Sequence, residues 1–341
     1  RGDGWTLSEL VRDLFLPGDI RAMLVARLDQ LDMNVKEIVQ TAAVLGRVFS
    51  VPVLAEMTVD VSVVEKNVQE AERHDIWKIA GDDQYVFTHG LLRDAAYTMQ
   101  MRAHRQDLHR LAVNALEKNY GADAQFHSAE LAHHAELGEL KPKALHYYSL
   151  AGKASAEAYQ NNQAIEYYTR AYSFTAFDDF ENQYRLLLER VNLYGRIGNR
   201  ALQARDLDAL EKLAVQLRDD RRLATAWRLY AHYYFTIGDY QNTLQTSERV
   251  IEISMRLEEP EIALGIYLVR SQASFRLGRV EEAIARQRDG LDLARTLKNR
   301  VEEGRSLTAL GLILLESRQP ALAVEHMEQA VEIAREVGDR V

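Results

Sequence analysis

The clearest regularity in the sequence is a short motif that occurs three times: YGRIGN at residues 194–199, FTIGDY at 235–240 and FRLGRV at 275–280. The last glycine of each motif stands 40 residues before the next, and Arg318 stands 40 residues after the third. Apolar residues with helical periodicity lie before and after each motif. Each 40-residue segment therefore predicts a helix, a tight turn and a second helix.

These segments resemble the tetratricopeptide repeat family in how bulky and small residues are placed. In the segment around Gly238, Trp227 and Tyr234 are the bulky residues of the first helix, with the small Ala231 between them. Small residues are expected where two helix backbones cross, because a larger side chain would push the helices apart. The other matching positions are Tyr240, Thr243, Val250, Tyr267, Ser271, Ala283, Gly290, Leu307, Gly311, Leu314, Ala323 and Ala330. The resemblance implies tandem helical hairpins, with a longer period than the commoner value of about 34 residues.

The pattern weakens toward the N-terminus but continues to about residue 141, where Tyr148, Gly152 and Ala164 make an earlier unit. We expect about five repeats over residues 141–341. The sequence ends in the middle of the pattern and begins at Arg1 without an initiator Met. We therefore expect the repeats to continue beyond residue 341 in a longer parent protein.

Residues 1–100 predict a different, smaller domain. Pro17 suits the first position of a helix that runs to about Leu31, and an apolar helix is predicted over residues 35–45. Ser50 is expected to cap a short helix, a further helix is predicted over 62–75, and residues 76–80 and 84–88 predict a β-hairpin.

Three helices followed by a hairpin are a winged-helix arrangement. Residues 101–140 are assigned to a helical linker that includes the first helices of the array. The predicted fold class is therefore all-α: a small winged-helix domain with one β-hairpin, followed by a tetratricopeptide-repeat α-solenoid.

Composition excludes several classes of function. The net charge is −9, and the helix before the hairpin carries Glu65, Glu70 and Glu72, so we expect no nucleic-acid binding. There is no cysteine, which excludes disulfides and thiolate chemistry and favours a reducing, cytoplasmic location. No run of 18 apolar residues occurs, so no membrane span is expected.

A second resemblance rests on FTHGLLRDAAY at residues 87–97, directly after the hairpin, with LHR at 108–110 and LAHH at 131–134. Together with ARLD at 26–29 and AAVLG at 42–46, these stretches resemble the region after the nucleotide-binding domain of signal-transduction ATPases with numerous domains. That group includes adenylate-cyclase/AAA-ATPase-type and maltose-activator-type regulators. The resemblance implies a regulatory segment whose winged helix contacts an upstream nucleotide-binding domain.

The same resemblance implies a role for His89. In that group a histidine of the winged helix contacts the β-phosphate of bound ADP, and His89 holds the matching position, flanked by Thr88 and Gly90 instead of Met and Asp. ATP or ADP would then bind in the parent protein, with no cofactor in this segment. The alternative is that His89 only caps the helix that begins there.

The sequence offers no set of residues for catalysis. It lacks a phosphate-binding loop, a nucleophile elbow and a His-Glu-x-x-His motif. The adjacent His133 and His134 would point in different directions on a helix, so no metal site is expected. We therefore expect that this segment is not itself an enzyme.

The remaining candidate site is the groove that the first helices of the repeats line in tetratricopeptide arrays. Counting from the small-residue position predicts that nine side chains face this groove. They are Arg185, Asn192, Arg228, His232, Phe235, Gln272, Phe275, Arg305 and Thr308. Arginine makes bidentate contacts to carboxylates, so the set suits an acidic or extended peptide, a protein segment or a small polar ligand. The alternative is that these residues are ordinary solvated or packing positions.

Two readings of function remain beside the regulatory one. In one of them, the chain is a passive tetratricopeptide scaffold that joins partner proteins. In the other, it is part of a transcription regulator whose DNA-binding domain lies outside these residues. The sequence preceding Arg1 would separate these readings, because a phosphate-binding loop there would favour the signalling ATPase.

Overall fold

The computed structural model describes the backbone of residues 18–58 and 61–338, and the side chains of residues 22–58 and 63–338. The chain divides into two compact units, Arg1–Ala176 and Phe177–Val341. The predicted boundaries at residues 100 and 140 both fall inside the first unit. Pro17, predicted to open the first helix, and the chain ends that suggested a longer protein lie outside the described residues.

The first unit combines helices with one small sheet. Its described α-helices are α1 (Gly18–Asp29), α2 (Met33–Leu45), α3 (Val51–Glu56), α4 (Val61–Arg73), α5 (Gly90–Thr98), α6 (Arg102–Tyr120), α7 (Ser128–Leu137), α8 (Lys141–Glu157) and α9 (Asn161–Ser173). A 3₁₀ helix, Gly121–His127, joins α6 to α7. The strands are β1 (Val48–Ser50), β2 (Trp77–Gly81) and β3 (Gln84–Phe87).

The sheet contains the predicted hairpin and one strand that the sequence did not predict. β2 and β3 pair antiparallel, as expected. β1 pairs antiparallel with β3, with Val48 opposite Val86, so the strand order is β1-β3-β2. A strand of three residues is too short to show alternation, and its partner lies far away in the sequence, so no local pattern indicates it.

An aromatic cluster connects this sheet to the helices behind it. The buried ring of Phe49 in β1 lies 4.8 Å from that of Trp77, and the ring of Trp77 lies 5.3 Å from that of Phe87. The indole nitrogen of Trp77 donates a 3.0 Å hydrogen bond to the carbonyl oxygen of Val68 in α4. The short β1 is thus held by side-chain packing as well as by its pairing with β3.

The second unit is built entirely from helical hairpins in the part that the structure describes. Its α-helices are α10 (Phe180–Ile197), α11 (Arg200–Leu217), α12 (Asp220–Thr236), α13 (Tyr240–Arg256), α14 (Ile266–Arg276), α15 (Val280–Thr296), α16 (Arg300–Glu316) and α17 (Pro320–Val337). A 3₁₀ helix, Pro260–Ala263, precedes the shortened α14. Each helix packs against the next in sequence.

The predicted turns are confirmed, and the backbone shows that the regular spacing is 20 residues. Gly198, Gly238 and Gly278 have φ between 75° and 81°, and Arg318, at the fourth turn, has φ 61°. Between them, Arg218, Glu258 and Lys298 also adopt left-handed conformations. A 40-residue repeat therefore contains two helices, each closed by a left-handed residue.

Helix starts in the second unit follow the same spacing. The side chains of five N-terminal caps accept a hydrogen bond from the backbone N–H three residues later: Asp179, Asn199, Asp219, Asp239 and Asn299. Asp and Asn favour this position because their oxygens satisfy a backbone donor that has no partner within the helix. In the five helices that have both, the cap and the left-handed residue together fix the length of the helix.

Small residues stand where the helices approach most closely, as predicted. Ala231 and Ser271 are fully buried. A Cβ atom at Gly311 would lie 2.7 Å from Cγ of Met327 and 3.3 Å from the carbonyl oxygen of Ala323. At this crossing only glycine allows α16 and α17 their present separation.

Two further findings concern the described residues alone. None of the described helices is long and apolar enough to cross a membrane. Among the same residues, no group of three or more His, Cys, Asp or Glu side chains is arranged to hold a metal ion.

Candidate binding surface on the first helices of the second unit

The first helices of successive hairpins in the second unit lie side by side. α12 packs against α14, and α14 against α16. α10 is joined to α12 by Tyr184, whose hydroxyl donates a 2.9 Å hydrogen bond to the carbonyl oxygen of Arg222, and by the 2.6 Å ion pair of Arg222 with Glu181. We call the solvent-facing side chains of α10, α12, α14 and α16 the first-helix face.

All nine predicted groove residues lie on these four helices. Six are exposed: Arg185, Asn192, Arg228, His232, Arg305 and Thr308. Phe235, Gln272 and Phe275 are half-buried. The helices thus place the nine residues on adjacent elements, and whether they bind a ligand stays a prediction.

The three predicted arginines differ in their partners. Arg185 donates a 3.0 Å hydrogen bond to Oδ1 of Asn182, and Arg305 forms a 2.6 Å ion pair with Glu302 one turn away. Arg228 makes no hydrogen bond or ion pair with the described residues. Its guanidinium group is therefore the most available of the three for an external carboxylate.

His232 lies one helical turn after Arg228. Burial of the imidazole and the nearby charge of Arg228 lower the pKa of His232, although part of the side chain reaches solvent. The ring is consequently neutral at physiological pH, and it can donate one hydrogen bond and accept another. Together these two residues provide one cation and one neutral polar group.

Two of the predicted groove residues, Phe235 and Thr308, also make contacts within their own hairpin. The ring of Phe235 packs at 5.6 Å against that of Tyr240 at the start of α13, so part of its surface supports the turn. The hydroxyl of Thr308 donates a 2.9 Å hydrogen bond to the carbonyl oxygen of Gly304 and keeps only its acceptor capacity. These two positions contribute to local structure as well as to the surface.

Two apolar members of the first-helix face, Leu312 and Leu315, were not predicted; they are 49% and 50% exposed. The 40-residue spacing contained the signal, because Leu312 follows Gln272, and Leu315 follows Phe275, by one full repeat. The aligned positions form three rows across the helices. These rows are Arg228, Leu268 and Thr308; Asn192, His232, Gln272 and Leu312; and Phe235, Phe275 and Leu315.

His89 lies in the first unit and has no part in this surface. It occupies the N-terminal cap position of α5, is exposed, and makes no side-chain capping hydrogen bond. The neighbouring Thr88 instead connects the end of β3 to the residues just before β2, since its hydroxyl donates to the carbonyl oxygens of Asp75 and Ile76. The position of His89 is thus that of a cap, while its imidazole is free of any capping bond.

Comparison with known proteins identifies the repeats. A family model described as tetratricopeptide repeat matches residues 263–336, which span α14 to α17. A protein of Rhizobium meliloti (strain 1021), named uncharacterized protein R02095, is 25% identical over 297 residues, which are 83% of this chain and 29% of that protein. The chain therefore spans less than a third of the length of this relative.

Solved structures of low sequence identity are also similar to this chain. The crystal structure of BtubC (BKLC) from P. vanneervenii has a TM-score of 0.51 at 12% identity and covers 71% of this chain and 94% of that one. The structure of a signal-transduction ATPase with a tetratricopeptide repeat sensor, from Pyrococcus horikoshii, matches this chain with a TM-score of 0.46 and 13% identity. The match covers 98% of this chain and 53% of the ATPase. The family match and the helical hairpins of the second unit show that the chain contains tetratricopeptide-type repeats.

Proposed function

We propose that the second unit is a protein-interaction module whose first-helix face binds an extended segment of a partner protein. The observation that carries the proposal is the arrangement of exposed side chains in rows across adjacent helices. The rows are polar and cationic at Arg228 and His232, and apolar at Leu312 and Leu315. A partner that fits these rows carries a carboxylate that meets Arg228 and His232, and apolar side chains that cover Leu312 and Leu315.

The chemistry of the rows supports such a partner. The Arg228 guanidinium can meet a carboxylate with two parallel hydrogen bonds, and hydrogen bonds to charged groups contribute about 1.5–3 kcal/mol. Covering the exposed half of each leucine adds about 1 kcal/mol per side chain. A short segment that makes several such contacts would bind in the micromolar range.

The helix spacing sets the length of the segment. Packed helices lie about 8–10 Å apart, so α12 and α16, with α14 between them, are about 16–20 Å apart. An extended chain advances about 3.3–3.6 Å per residue, so this distance corresponds to about five or six residues. We therefore expect an acidic residue and an apolar residue separated by about five positions.

Labelled peptides of glycine and serine that carry an Asp pair and a Leu pair, about five residues apart and in either order, test this proposal by fluorescence anisotropy. We expect Arg228→Ala and Leu312→Lys each to weaken binding at least fivefold. Arg288→Ala on α15 and Val215→Lys on α11 are the matched controls, since both residues are exposed on second helices. If no such peptide binds, or if all four variants bind alike, the first-helix face is not the binding surface.

We further propose that the chain is the regulatory arm of a larger signalling ATPase. Three features support this: the sequence resemblance after β3, the order of helices around a three-stranded sheet that suits a winged helix, and a relative much longer than this chain. In this proposal the winged helix contacts an upstream nucleotide-binding domain, and partner binding shifts the equilibrium between two states of that domain. The shift is limited by the difference in affinity of the partner for the two states.

The test uses the longer parent protein with His89→Ala. We expect a loss of retained ADP, measured by chromatography of the nucleotide released on denaturation, because the variant lacks the imidazole donor to phosphate. His104→Ala is the control, since His104 is likewise exposed. Equal nucleotide retention in both variants would reject the sensor role, and a parent that binds no nucleotide would favour the passive scaffold.

A further inference from the structure

The first unit contains a pocket that the proposed interaction surface does not use. It has a volume of about 170 Å³ and lies among α2, β1, α3, β3, α6 and the first turn of α7. Much of its wall is apolar, with Leu45, Val53 and Leu116 contributing side chains from three different helices. Because helices and strands supply these walls, the pocket has a defined shape without a ligand.

The pocket contains a single charged group. Of the residues that line it, only Glu130 carries a charge at neutral pH, and no lysine or arginine is among them. One carboxylate oxygen, Oε2, accepts a 2.7 Å hydrogen bond from the hydroxyl of Tyr120. The other oxygen accepts no hydrogen bond from any residue that the structure describes. A carboxylate has about four acceptor positions, so most of its capacity remains unused.

Tyr120 remains the donor in its hydrogen bond with Glu130. Its pKa is raised by burial and by the charge of Glu130, so the phenol stays protonated. The ring of Tyr120 stacks on that of His127 with centroids 3.7 Å apart and planes 4° apart. Burial also raises the pKa of Glu130, against the opposing effects of Tyr120 and His127. A partly desolvated carboxylate is therefore part of the pocket wall, and no lysine or arginine of that wall pairs with it.

We propose that this pocket binds a small primary amine that carries a compact apolar group. The ammonium group would donate to the free oxygen of Glu130, and the apolar group would contact Leu45, Val53 and Leu116. An engineered cavity of about 150 Å³ binds benzene, so this volume admits a group of about that size. A carboxylate in partly apolar surroundings selects a cation over a neutral molecule of the same shape, and it repels anions.

Benzylamine and benzyl alcohol are suitable probes, because they have similar size and differ in charge. Binding to the whole chain is measured by titration calorimetry at pH 7.5, with changes in the NMR signals of Phe49 and Tyr120 to locate the site. We expect benzylamine to bind at least tenfold more tightly than benzyl alcohol. Equal affinities, or no binding of either probe, would overturn the proposal without any variant.

Glu130→Gln then tests the assigned carboxylate. The amide oxygen can still accept the Tyr120 hydrogen bond, so we expect the fold to persist by circular dichroism while the preference for benzylamine falls at least tenfold. Asp123→Asn, an exposed carboxylate on the adjoining 3₁₀ helix, is the matched control and should bind as the wild type does. An unchanged preference in Glu130→Gln would show that the amine binds elsewhere.

Discussion

Gly290 shows at the scale of one residue how the hairpins of the second unit are held together. A Cβ atom added there would lie 2.6 Å from Cβ of Tyr267 in the facing helix α14. The contacted atom is attached directly to the backbone, so it cannot move unless the helix moves. Gly304 lies in α16, and a Cβ atom there would lie 3.2 Å from Cγ2 of Ile333, a contact that a shift of a few tenths of an ångström relieves.

We therefore predict opposite results for two alanine substitutions. Gly290→Ala should lower the free energy of unfolding by about 1–3 kcal/mol, because overpacking forces α14 and α15 apart. Gly304→Ala should leave it unchanged or raise it by up to about 1 kcal/mol, because alanine restricts the unfolded chain and favours the helix. Urea unfolding followed by circular dichroism measures both. A similar loss of unfolding free energy in the two variants would show that the contact between Gly290 and Tyr267 does not cause the effect of Gly290→Ala.

A second residue-scale feature is the buried pair His109 and His134 in the first unit. The two Nδ1 atoms lie 2.9 Å apart, and Nε2 of His109 lies 2.9 Å from the hydroxyl of Tyr97. Only one imidazole can donate in the Nδ1 contact, so the pair is compatible with neutral rings. Burial, with smaller effects from His133 and nearby arginines, lowers the pKa of His109 to about 3. Burial likewise lowers the pKa of His134.

This pair predicts that the first unit loses stability in acid. Because the folded pKa values lie below the unfolded value of about 6.5, the unfolded chain takes up protons first as the pH falls. The stabilisation is complete above about pH 6.5 and is lost progressively as the pH falls below it, because the unfolded chain binds protons that the buried histidines do not. Urea unfolding between pH 7.5 and pH 4.5 measures this slope. His109→Gln should make the slope shallower and the exposed His104→Ala should not, so a slope that neither variant changes would exclude the histidine pair as its cause.

At the scale of the element, the sequence predicted what local patterns encode and missed what distant contacts create. The helices around Gly238 follow from apolar periodicity, and the hairpin of β2 and β3 follows from two β-type runs around a turn. β1 forms only because Val48–Ser50 finds β3 and because Phe49 reaches Trp77, and neither contact is visible locally. Among the surface residues, the repeat spacing predicted Arg228 and His232 but not Leu312, because a leucine on a helix is more often buried than exposed.

Another contact that the sequence did not indicate joins the two helices of one hairpin. Arg190 of α10 and Asp206 of α11 form a 2.6 Å ion pair, and their side chains are only 4% and 2% exposed. Burial raises the pKa of Asp206 above its ordinary value, although Arg190 opposes the shift. The pair thus bears a desolvation cost that its own attraction only partly offsets.

This balance predicts a non-additive double-mutant cycle. Arg190→Met should cost about 3 kcal/mol, because it leaves the buried carboxylate of Asp206 with only the exposed Arg205, 3.7 Å away, as a cation. Adding Asp206→Leu should recover most of that loss, since two apolar side chains pack without a desolvation cost. As a control, Arg256→Met removes the exposed pair with Asp220 and should cost no more than about 1 kcal/mol. Additive effects of Arg190→Met and Asp206→Leu in chemical unfolding would contradict the assignment.

At the scale of the whole molecule, the chain has two compact units, and the segment between them offers a direct test of that division. Residues 174–179 lie between the end of α9 and the start of α10, and Phe177 is 93% exposed. Tyr159 is also 85% exposed, but it stands in a tight turn between α8 and α9 that is held by hydrogen bonds from Tyr159 N to Ala156 O and from Gln160 N to Ser155 O. Proteases act on exposed loop segments that can enter their active site.

Brief digestion with chymotrypsin should therefore cut first after Phe177 and yield two fragments that resist further cleavage. Mass spectrometry identifies the cut, and thermal melting of the separated fragments followed by circular dichroism shows whether each unit keeps its own cooperative transition. Phe177→Ser should suppress this first cut and leave slower cleavage at Tyr159. First cleavage at Tyr159 in the wild type would contradict the greater accessibility of residues 174–179. Fragments that melt without a transition would show that the two units depend on each other for their stability. Two stable fragments would instead allow peptide binding to be assigned to residues 178–341 and amine binding to residues 1–177, each measured apart from the other.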